Sequence, residues 1–105
     1  MIPDGPALIK TDAFLIQKYL ERPLLIFNRK FDIRMWVLMT HQMNAYVFPE
    51  GYIRLSSQEY ICKKSKDSFI HLTNNSVQRF SEDYGKIAEG NQLSFKELKE
   101  IMEAN

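Results

Sequence analysis

The sequence predicts a small α+β domain, with a mostly antiparallel sheet and a C-terminal helix packed on one of its faces. Three observations support this fold class. Residues 29–40 alternate with the two-residue period of a strand. Short polar turns separate this stretch from two further strand-like stretches, and a helical apolar pattern closes the chain. The 105 residues are 45% hydrophobic and 26% charged, which suits one small domain over residues 1–105 with a modest core.

The stretch 29–40 is the centre of the predicted sheet because its two faces differ. One face is apolar throughout and consists of Phe31, Ile33, Met35, Val37 and Met39. The other face begins charged and becomes apolar, in the order Lys30, Asp32, Arg34, Trp36 and Leu38. We expect the apolar half to be covered on both faces and the charged half to lie at the mouth of a cleft. The alternative is a charged strand face that is simply solvated, which is ordinary at a protein surface.

The other strands are predicted from short apolar runs between turn residues. One sheet is predicted to contain residues 14–19, 31–40, 45–48 and 52–56. Residues 24–27 are interpreted as extended or loop, after the interruption by Pro23. The turn before residue 52 contains Gly51, and the freedom of glycine to take a positive φ suits that position.

The C-terminal helix is the clearest element of the sequence. Ser94 followed by Glu97 fits a capping box. The apolar positions that follow at helical spacing are Phe95, Leu98, Ile101 and Met102. The preceding segments are less regular: residues 58–69 predict a surface loop, and the polar residues 73–76 predict turns.

Composition argues against several classes of function. The net charge of +1 disfavours general affinity for nucleic acid or an anionic membrane, so neither is an expected partner. No apolar run approaches the roughly 18–20 residues of a membrane span, and no secretory signal is evident. The lone Cys62 excludes an intrachain disulfide and suits a reducing compartment. With His41 and His71 it does not give the spacing of a zinc site, so no metal ligand is predicted.

Five groups of residues follow one another in an order that is typical of a known family. They are Gln17-Lys18-Tyr19-Leu20, Pro23-Leu24-Leu25, Arg29-Lys30-Phe31-Asp32-Ile33-Arg34, Glu50-Gly51 with Arg54, and His71-Leu72-Thr73-Asn74. Together they resemble tubulin–tyrosine ligase and the tubulin ligase-like enzymes, which have an ATP-grasp fold. The resemblance runs from about Leu15 to the last helix. It implies the central part of an ATP-grasp domain, without the family's N-terminal subdomain and C-terminal metal-binding segment.

The resemblance assigns one group of residues to ATP. The backbone of the predicted hinge would meet the adenine, and this hinge consists of Gln17, Lys18, Tyr19 and Leu20. Lys30 would lie near phosphate, and Asp32 near the ribose or the magnesium-bound phosphates. Thr73 and Asn74 would line the nucleotide site. ATP and magnesium are the implied cofactors, with the metal ligands expected outside this chain.

A second group is assigned to the acceptor side. Arg34 and Arg54 would bind carboxylates of the incoming amino acid or of the tubulin tail, with Asn75 and Ser76 nearer the amino acid. The catalytic residues would be Lys30, Arg34 and Arg54. Such ligases activate a carboxylate as an acyl phosphate, which an amine then attacks. Fixed cations stabilise the charge that develops on the transferring phosphoryl group, and the planar fork of arginine suits a carboxylate.

The implied function is an ATP-dependent ligase that adds tyrosine, glycine or glutamate to tubulin. Its partners would be tubulin or microtubules and a free amino acid. Its place would be the cytoplasm, on the cytoskeleton or in a cilium or flagellum. Asn75 stands where glutamate-adding members tend to have a tyrosine, which counts against glutamate. The alternative is a catalytically inactive remnant that serves as a structural or binding module in a cytoskeletal or ciliary assembly.

The family's metal ligands are an aspartate and a Glu-x-Asn pair. Glu89, Gly90 and Asn91 spell the second pattern, but in a turn-rich segment before the last helix, so we do not expect them to bind metal. Since the metal carboxylates are not matched, the chain alone is expected not to ligate, because magnesium neutralises charge during phosphoryl transfer.

Overall fold

The computed structural model describes residues 15–61 and 66–104. The strands in these ranges are β1 (Leu25–Ile26), β2 (Arg29–Arg34), β3 (Val37–Met39), β4 (Ala45–Val47), β5 (Tyr52–Leu55) and β6 (Gln92–Ser94). The helices are α1 (Ser68–His71), α2 (Asn75–Gln78) and α3 (Phe95–Glu103), and Glu89–Asn91 forms a 3₁₀ turn. In this part of the chain, no helix combines the length and the apolar character that a membrane crossing requires.

The main sheet has four antiparallel strands in the order β1, β2, β5, β6. Phe27 and Asn28 join β1 to β2 with φ values of 50° and 56°. Two successive left-handed residues give a hairpin turn whose twist matches that of the strands it connects. In the central pair, Asp32 of β2 lies opposite Arg54 of β5. This register brings a carboxylate and a guanidinium together on one face of the sheet.

The hydrophobic core lies between the main sheet and α3. Its buried side chains are Ile26, Ile53, Leu55 and Leu93, and the partly buried Phe31, Ala88, Phe95, Leu98 and Ile101 pack against them. At the start of α3, Ser94 Oγ accepts a hydrogen bond from the Glu97 amide at 3.2 Å, and the Ser94 amide donates to Glu97 Oε2 at 2.7 Å. The predicted α+β class, antiparallel sheet and packed C-terminal helix are confirmed.

The single strand predicted over residues 31–40 is divided in two. β2 ends at Arg34, and β3 begins at Val37. The two strands have different partners, since β2 pairs with β5 and β3 pairs with β4 in a separate two-stranded sheet. The Phe48 amide donates to the Trp36 carbonyl at 2.9 Å and closes this hairpin at its base. The prediction of one shared sheet is therefore wrong, because the change of partner redirects the chain.

The β3–β4 hairpin is apolar and exposed. The side chains of Trp36, Val37, Leu38 and Met39 are between 57% and 63% exposed. The cover expected on both faces of this stretch is therefore not supplied by residues 15–61 or 66–104. The physical reason is that a two-stranded sheet has no second layer of its own, and no described helix packs onto it.

The segment before the main sheet also differs from the prediction. Residues 15–19 form no strand, and Leu15 and Ile16 are 83% and 93% exposed. No described strand runs beside them, so they have no ladder to join. Phe14, the first residue of that predicted strand, lies outside the described residues.

The sequence patterns did not predict four short elements, each only two to four residues long. β1 lies inside the stretch interpreted as extended or loop, and β6 was not predicted. α1 and α2 replace part of the predicted loop and the predicted turns. α1 begins where the Asp67 carboxylate accepts a hydrogen bond from the Phe69 amide at 2.8 Å. A single helical turn is too short to show a period of 3.6 residues.

Gly51 is required for space and not for a positive φ. The glycines with positive φ in the described chain are Gly85 and Gly90, so the predicted reason for Gly51 is wrong. A Cβ at Gly51 would overlap the Arg34 carbonyl oxygen and would lie 2.7 Å from Phe95 Cζ. Gly51 therefore allows the end of β2, the start of β5 and the first residue of α3 to meet.

Replacing Gly51 by alanine should destabilise the fold by about 2–3 kcal/mol, as expected for overpacking. The backbone carbonyl of Arg34 cannot swing aside as a side-chain end could. Urea unfolding followed by circular dichroism measures the change. Gln42→Ala, in the exposed turn of the β3–β4 hairpin, is the control and should leave the midpoint unchanged. A Gly51→Ala midpoint equal to that of the wild type would contradict the close packing.

Candidate functional site

A row of charged residues occupies one face of the main sheet. Lys30, Asp32 and Arg34 are alternate residues of β2 and so share this face, opposite the apolar side chains that face α3. Arg54 of β5 joins the row because it is the cross-strand partner of Asp32. The row thus contains four of the five charged residues that the family resemblance assigned to catalysis or nucleotide binding, and Lys18 of the predicted hinge is not part of it.

Asp32, Arg54 and Thr73 form one hydrogen-bonded cluster. Arg54 Nε lies 3.0 Å from each carboxylate oxygen of Asp32, and Arg54 Nη2 donates to Asp32 Oδ2 at 2.7 Å. The Thr73 hydroxyl donates to Asp32 Oδ1. The hydrogen bond and the charge of Asp32 raise the pKa of the Arg54 guanidinium, although burial opposes this. Arg54 therefore holds and orients Asp32, and its side chain is only 16% exposed.

Lys30 is held by neutral groups. Its ammonium donates to the Tyr19 hydroxyl at 3.2 Å and to the His71 carbonyl at 3.1 Å. It also lies 4.6 Å from the centre of the Tyr19 ring, within the range of a cation–π contact. Across residues 15–61 and 66–104, no carboxylate lies within 4.0 Å of this ammonium. The position of Lys30 is thus defined while its positive charge is left without a counter-ion among these residues.

Arg34 is the other cation of the row without a partner. It is half-buried, and its guanidinium makes no hydrogen bond or ion pair to any other described residue. The residue of β5 that lies directly opposite Arg34 is Tyr52. A fixed backbone with a free guanidinium fork is suited to bidentate binding of a carboxylate or a phosphate.

The predicted hinge approaches the site through one side chain. Of its four residues, Tyr19 contacts Lys30 and His71, and Tyr19 Oη lies 2.7 Å from His71 Nδ1. Lys18, Tyr19 and Leu20 also line a shallow open pocket together with Glu21 and Arg22. Gln17 is exposed and does not line this pocket.

The polar residues after His71 point in different directions. Thr73 is 8% exposed and faces Asp32. Asn75 accepts a hydrogen bond from the Tyr84 hydroxyl at 2.7 Å. Asn74 is the N-cap of α2 but makes no capping hydrogen bond with its side chain, and Ser76 is exposed. Of this group, the structure joins Thr73 alone to the charged row.

Gln78 supports the site from beneath and was not singled out in the sequence. It is 1% exposed, and its Oε1 accepts from the Ser57 amide at 2.7 Å. Its Nε2 donates to the Phe69 carbonyl at 3.2 Å and to the Leu72 carbonyl. One buried amide therefore ties the backbone on both sides of His71 to the chain that follows β5.

The Glu-x-Asn pattern has a structural role. Asn91 is 5% exposed, and its amide nitrogen donates to the Leu55 carbonyl at 3.2 Å and to Ser57 Oγ at 2.8 Å. Its Oδ1 accepts from the Gly85 amide at 2.8 Å. Among the residues that the structure describes, no three His, Cys, Asp or Glu side chains gather as a metal site would require.

A large cavity in the described chain lies away from the charged row. It lies between the 3₁₀ turn and α3, and its lining includes Ile87, Leu93, Glu97, Glu100 and Ile101. None of the sequence-assigned site residues lines it. This cavity is therefore an alternative to the charged row as the location of a ligand site.

A sheet face with two accessible cations and an oriented carboxylate is suited to anionic groups such as phosphates and carboxylates. The chain belongs to the tubulin-tyrosine ligase family, whose family model matches residues 2–104. The fold agrees with this assignment, since it has the antiparallel sheet and packed helix of part of an ATP-grasp-like domain.

Several relatives of the chain are named as glycylases. The chain is 42% identical over 84 residues to tubulin monoglycylase TTLL3 of Mus musculus, an alignment that covers 78% of this chain and 9% of that protein. It is 43% identical over 76 residues to tubulin glycylase 3B of Tetrahymena thermophila, covering 70% of this chain and 6% of the relative. It is 44% identical over 72 residues to protein monoglycylase TTLL8 of Mus musculus, covering 67% and 8%. The chain thus spans less than a tenth of the length of these relatives.

Proposed function

We propose that this chain contributes the anion-binding face of an ATP-dependent ligase that attaches glycine to tubulin. The observation that carries the proposal is the placement of Lys30. Its ammonium is fixed by two neutral acceptors and has no carboxylate within 4.0 Å in the described chain. A cation held in this way is ready to bind a phosphate.

Glycine is favoured among the three candidate amino acids by two observations. The relatives reported above are named as glycylases. Asn75 also stands where glutamate-adding members of the family tend to have a tyrosine. Tubulin or microtubules and free glycine are therefore the proposed partners, and the cytoplasm, the cytoskeleton and the cilium or flagellum are the proposed places of action.

The residues of the charged row divide the work of binding. Lys30 would contact a phosphate of ATP, while Asp32, oriented by Arg54 and Thr73, would lie near the ribose. In the reaction, the γ-phosphoryl group passes to a carboxylate of the tubulin tail and ADP leaves. The glycine amine then attacks the acyl carbon, and inorganic phosphate leaves. Arg34 would hold a carboxylate in line for these steps.

Magnesium would neutralise charge on the nucleotide phosphates. The described residues do not fit it: Asp32 is the acid of the cluster, and both of its oxygens already accept hydrogen bonds from Arg54 or Thr73. We therefore assign no magnesium ligand to residues 15–61 or 66–104.

The proposal is tested by incubating the complete protein with microtubules, magnesium, ATP and labelled glycine, glutamate or tyrosine in separate reactions. We expect glycine to be incorporated at least about tenfold faster than the other two, and only when ATP is present. Arg34→Lys should raise the KM for the carboxylate substrate about tenfold, because an ammonium cannot reproduce a bidentate contact. Preferential use of tyrosine or glutamate would refute glycine, and incorporation without ATP would refute the mechanism.

A further inference from the structure

We propose that His71 is a positioning residue that fixes the Lys30 ammonium through the hydroxyl group of Tyr19. The inference rests on the proposed role of Lys30 in nucleotide binding. Three segments that are distant in sequence meet here: the predicted hinge, β2 and the end of α1. His71 contacts the other two, with its ring on Tyr19 at 2.7 Å and its backbone carbonyl on Lys30 at 3.1 Å.

Chemistry fixes the direction of one of these hydrogen bonds, and the proposed relay assigns the direction of the other. An ammonium can only donate, so the Tyr19 oxygen accepts from Lys30 at 3.2 Å. In the proposed relay, the single hydroxyl hydrogen of Tyr19 is directed to His71 Nδ1, 2.7 Å away, which accepts it as an unprotonated nitrogen. In this relay, neutral His71 carries its hydrogen on Nε2. The relay orients the Tyr19 oxygen so that its lone pairs face Lys30.

Two aromatic rings contact the ring of His71 and hold its orientation. The Tyr19 ring meets it edge-on at 5.4 Å between centres, and the Tyr60 ring does the same at 5.9 Å. The Tyr60 hydroxyl donates to the Glu21 carbonyl at 3.1 Å, which ties the hinge to the same group. The buried Gln78 holds the carbonyls of residues 69 and 72 on either side of His71. His71 thus has a defined orientation before any ligand arrives.

The arrangement explains how the lysine can be fixed and remain charged. A carboxylate partner would hold Lys30 equally well but would compensate the charge that a phosphate needs. The carbonyl and the hydroxyl hold it without adding a negative charge. His71 supplies one of these acceptors directly and orients the other.

The test is a double-mutant cycle in the complete protein. Tyr19→Phe removes the hydroxyl and keeps the ring, and His71→Ala removes Nδ1. Each should lower kcat/KM for ATP about threefold to tenfold, as expected for one hydrogen bond. The double variant should be no worse than the poorer single variant, because both changes remove the same relay. The KM for glycine should stay within about twofold, and independent, multiplying effects would overturn the proposal.

Rescue separates positioning from packing. His71→Asn places an amide oxygen near the position of Nδ1 and should recover kcat/KM for ATP to within about twofold of the wild type, whereas His71→Ala should not. His41→Asn and Tyr46→Phe, both in the exposed β3–β4 hairpin, are the matched controls. If His71→Asn is as impaired as His71→Ala while both unfold at the wild-type temperature, the Nδ1 acceptor does not position Lys30.

A spectroscopic readout is independent of activity. In protein labelled with ¹⁵N-histidine, neutral His71 should show an unprotonated Nδ1 and a protonated Nε2, and Tyr19→Phe should shift the Nδ1 signal. A protonated Nδ1 in neutral His71 would overturn the relay. Lys30→Ala reports on the proposed function separately. If it leaves the KM for ATP unchanged, the nucleotide role of Lys30 fails and the positioning role fails with it, even if the relay itself is observed.

Discussion

Replacing Lys30 by alanine should slow ligation by about a hundredfold, the typical loss when one preorganised group that stabilises a transition state is removed. The loss should appear in the ATP-dependent step, because the ammonium of Lys30 is the cation fixed without a counter-ion in the described chain. The fold should survive, since Lys30 is not among the side chains that pack in the core. Steady-state ligation, with circular dichroism as the folding check, measures both.

A matched control is available on α3. Lys99 is exposed and lies 3.7 Å from Glu103, and Lys99→Ala removes the same charge from the protein without touching the charged row. It should keep near-normal turnover. The turnover of Lys30→Arg should lie between those of Lys30→Ala and Lys99→Ala. Arginine keeps the charge but cannot reproduce the geometry of an ammonium held by two acceptors. Near-normal turnover of Lys30→Ala would contradict a role in binding and would indicate that the charged row is only a solvated strand face.

Asp32→Asn should both destabilise the protein and impair nucleotide binding. The amide turns an NH₂ group towards the donors of Arg54, whose side chain is only 16% exposed. Breaking a fully buried pair costs about 3–5 kcal/mol, and because Asp32 is 34% exposed we expect about 2 kcal/mol here. kcat/KM for ATP should fall at least about tenfold, since the carboxylate that Arg54 and Thr73 hold in place is then absent.

Urea unfolding and the KM for ATP are the measurements for this second prediction. Glu103→Gln breaks an ion pair whose side chains are 75% and 67% exposed, and it should cost less than about 0.5 kcal/mol. The double variant Asp32→Asn, Arg54→Gln should recover part of the lost stability, because it removes the unpaired charge as well. Equal costs for Asp32→Asn and Glu103→Gln would show that the cluster is no stronger than an exposed surface pair.

The sequence predicted those features that depend on local pattern. The two-residue period put Lys30, Asp32 and Arg34 on one face, because alternation in a strand depends only on the strand itself. The capping box placed the start of α3 at Phe95, because Ser94 and Glu97 satisfy each other's backbone amides within one turn.

The features that it missed depend on partners distant in sequence. The break after Arg34 arises because β2 and β3 pair with different strands, which residues 29–40 do not encode by themselves. Gly51 is needed because the Arg34 carbonyl oxygen and the Phe95 ring lie too close to leave room for a Cβ. The sequence interpretation had explained this glycine by a positive φ, which was wrong.

The same division holds for the candidate site. The family resemblance named Asp32 and Arg54 separately, on the nucleotide and acceptor sides, but only the strand register shows that they bind each other. Tyr19 was assigned through its backbone, whereas its hydroxyl and ring make the contacts that the structure describes. The sequence interpretation assigned no site role to His71 or Gln78. The signal for His71 was its place in the His-Leu-Thr-Asn motif, and Gln78 offered none.

The most direct test of the central claim is to locate the nucleotide on the protein. Magnesium–ATP is titrated into isotope-labelled protein, and chemical-shift changes are mapped residue by residue. The account predicts that the largest changes fall on Lys30, Asp32, Thr73 and the neighbours of His71. Changes confined to the cavity beside α3, at Ile87, Leu93 and Ile101, would contradict it and would move the binding site away from the charged face of the sheet.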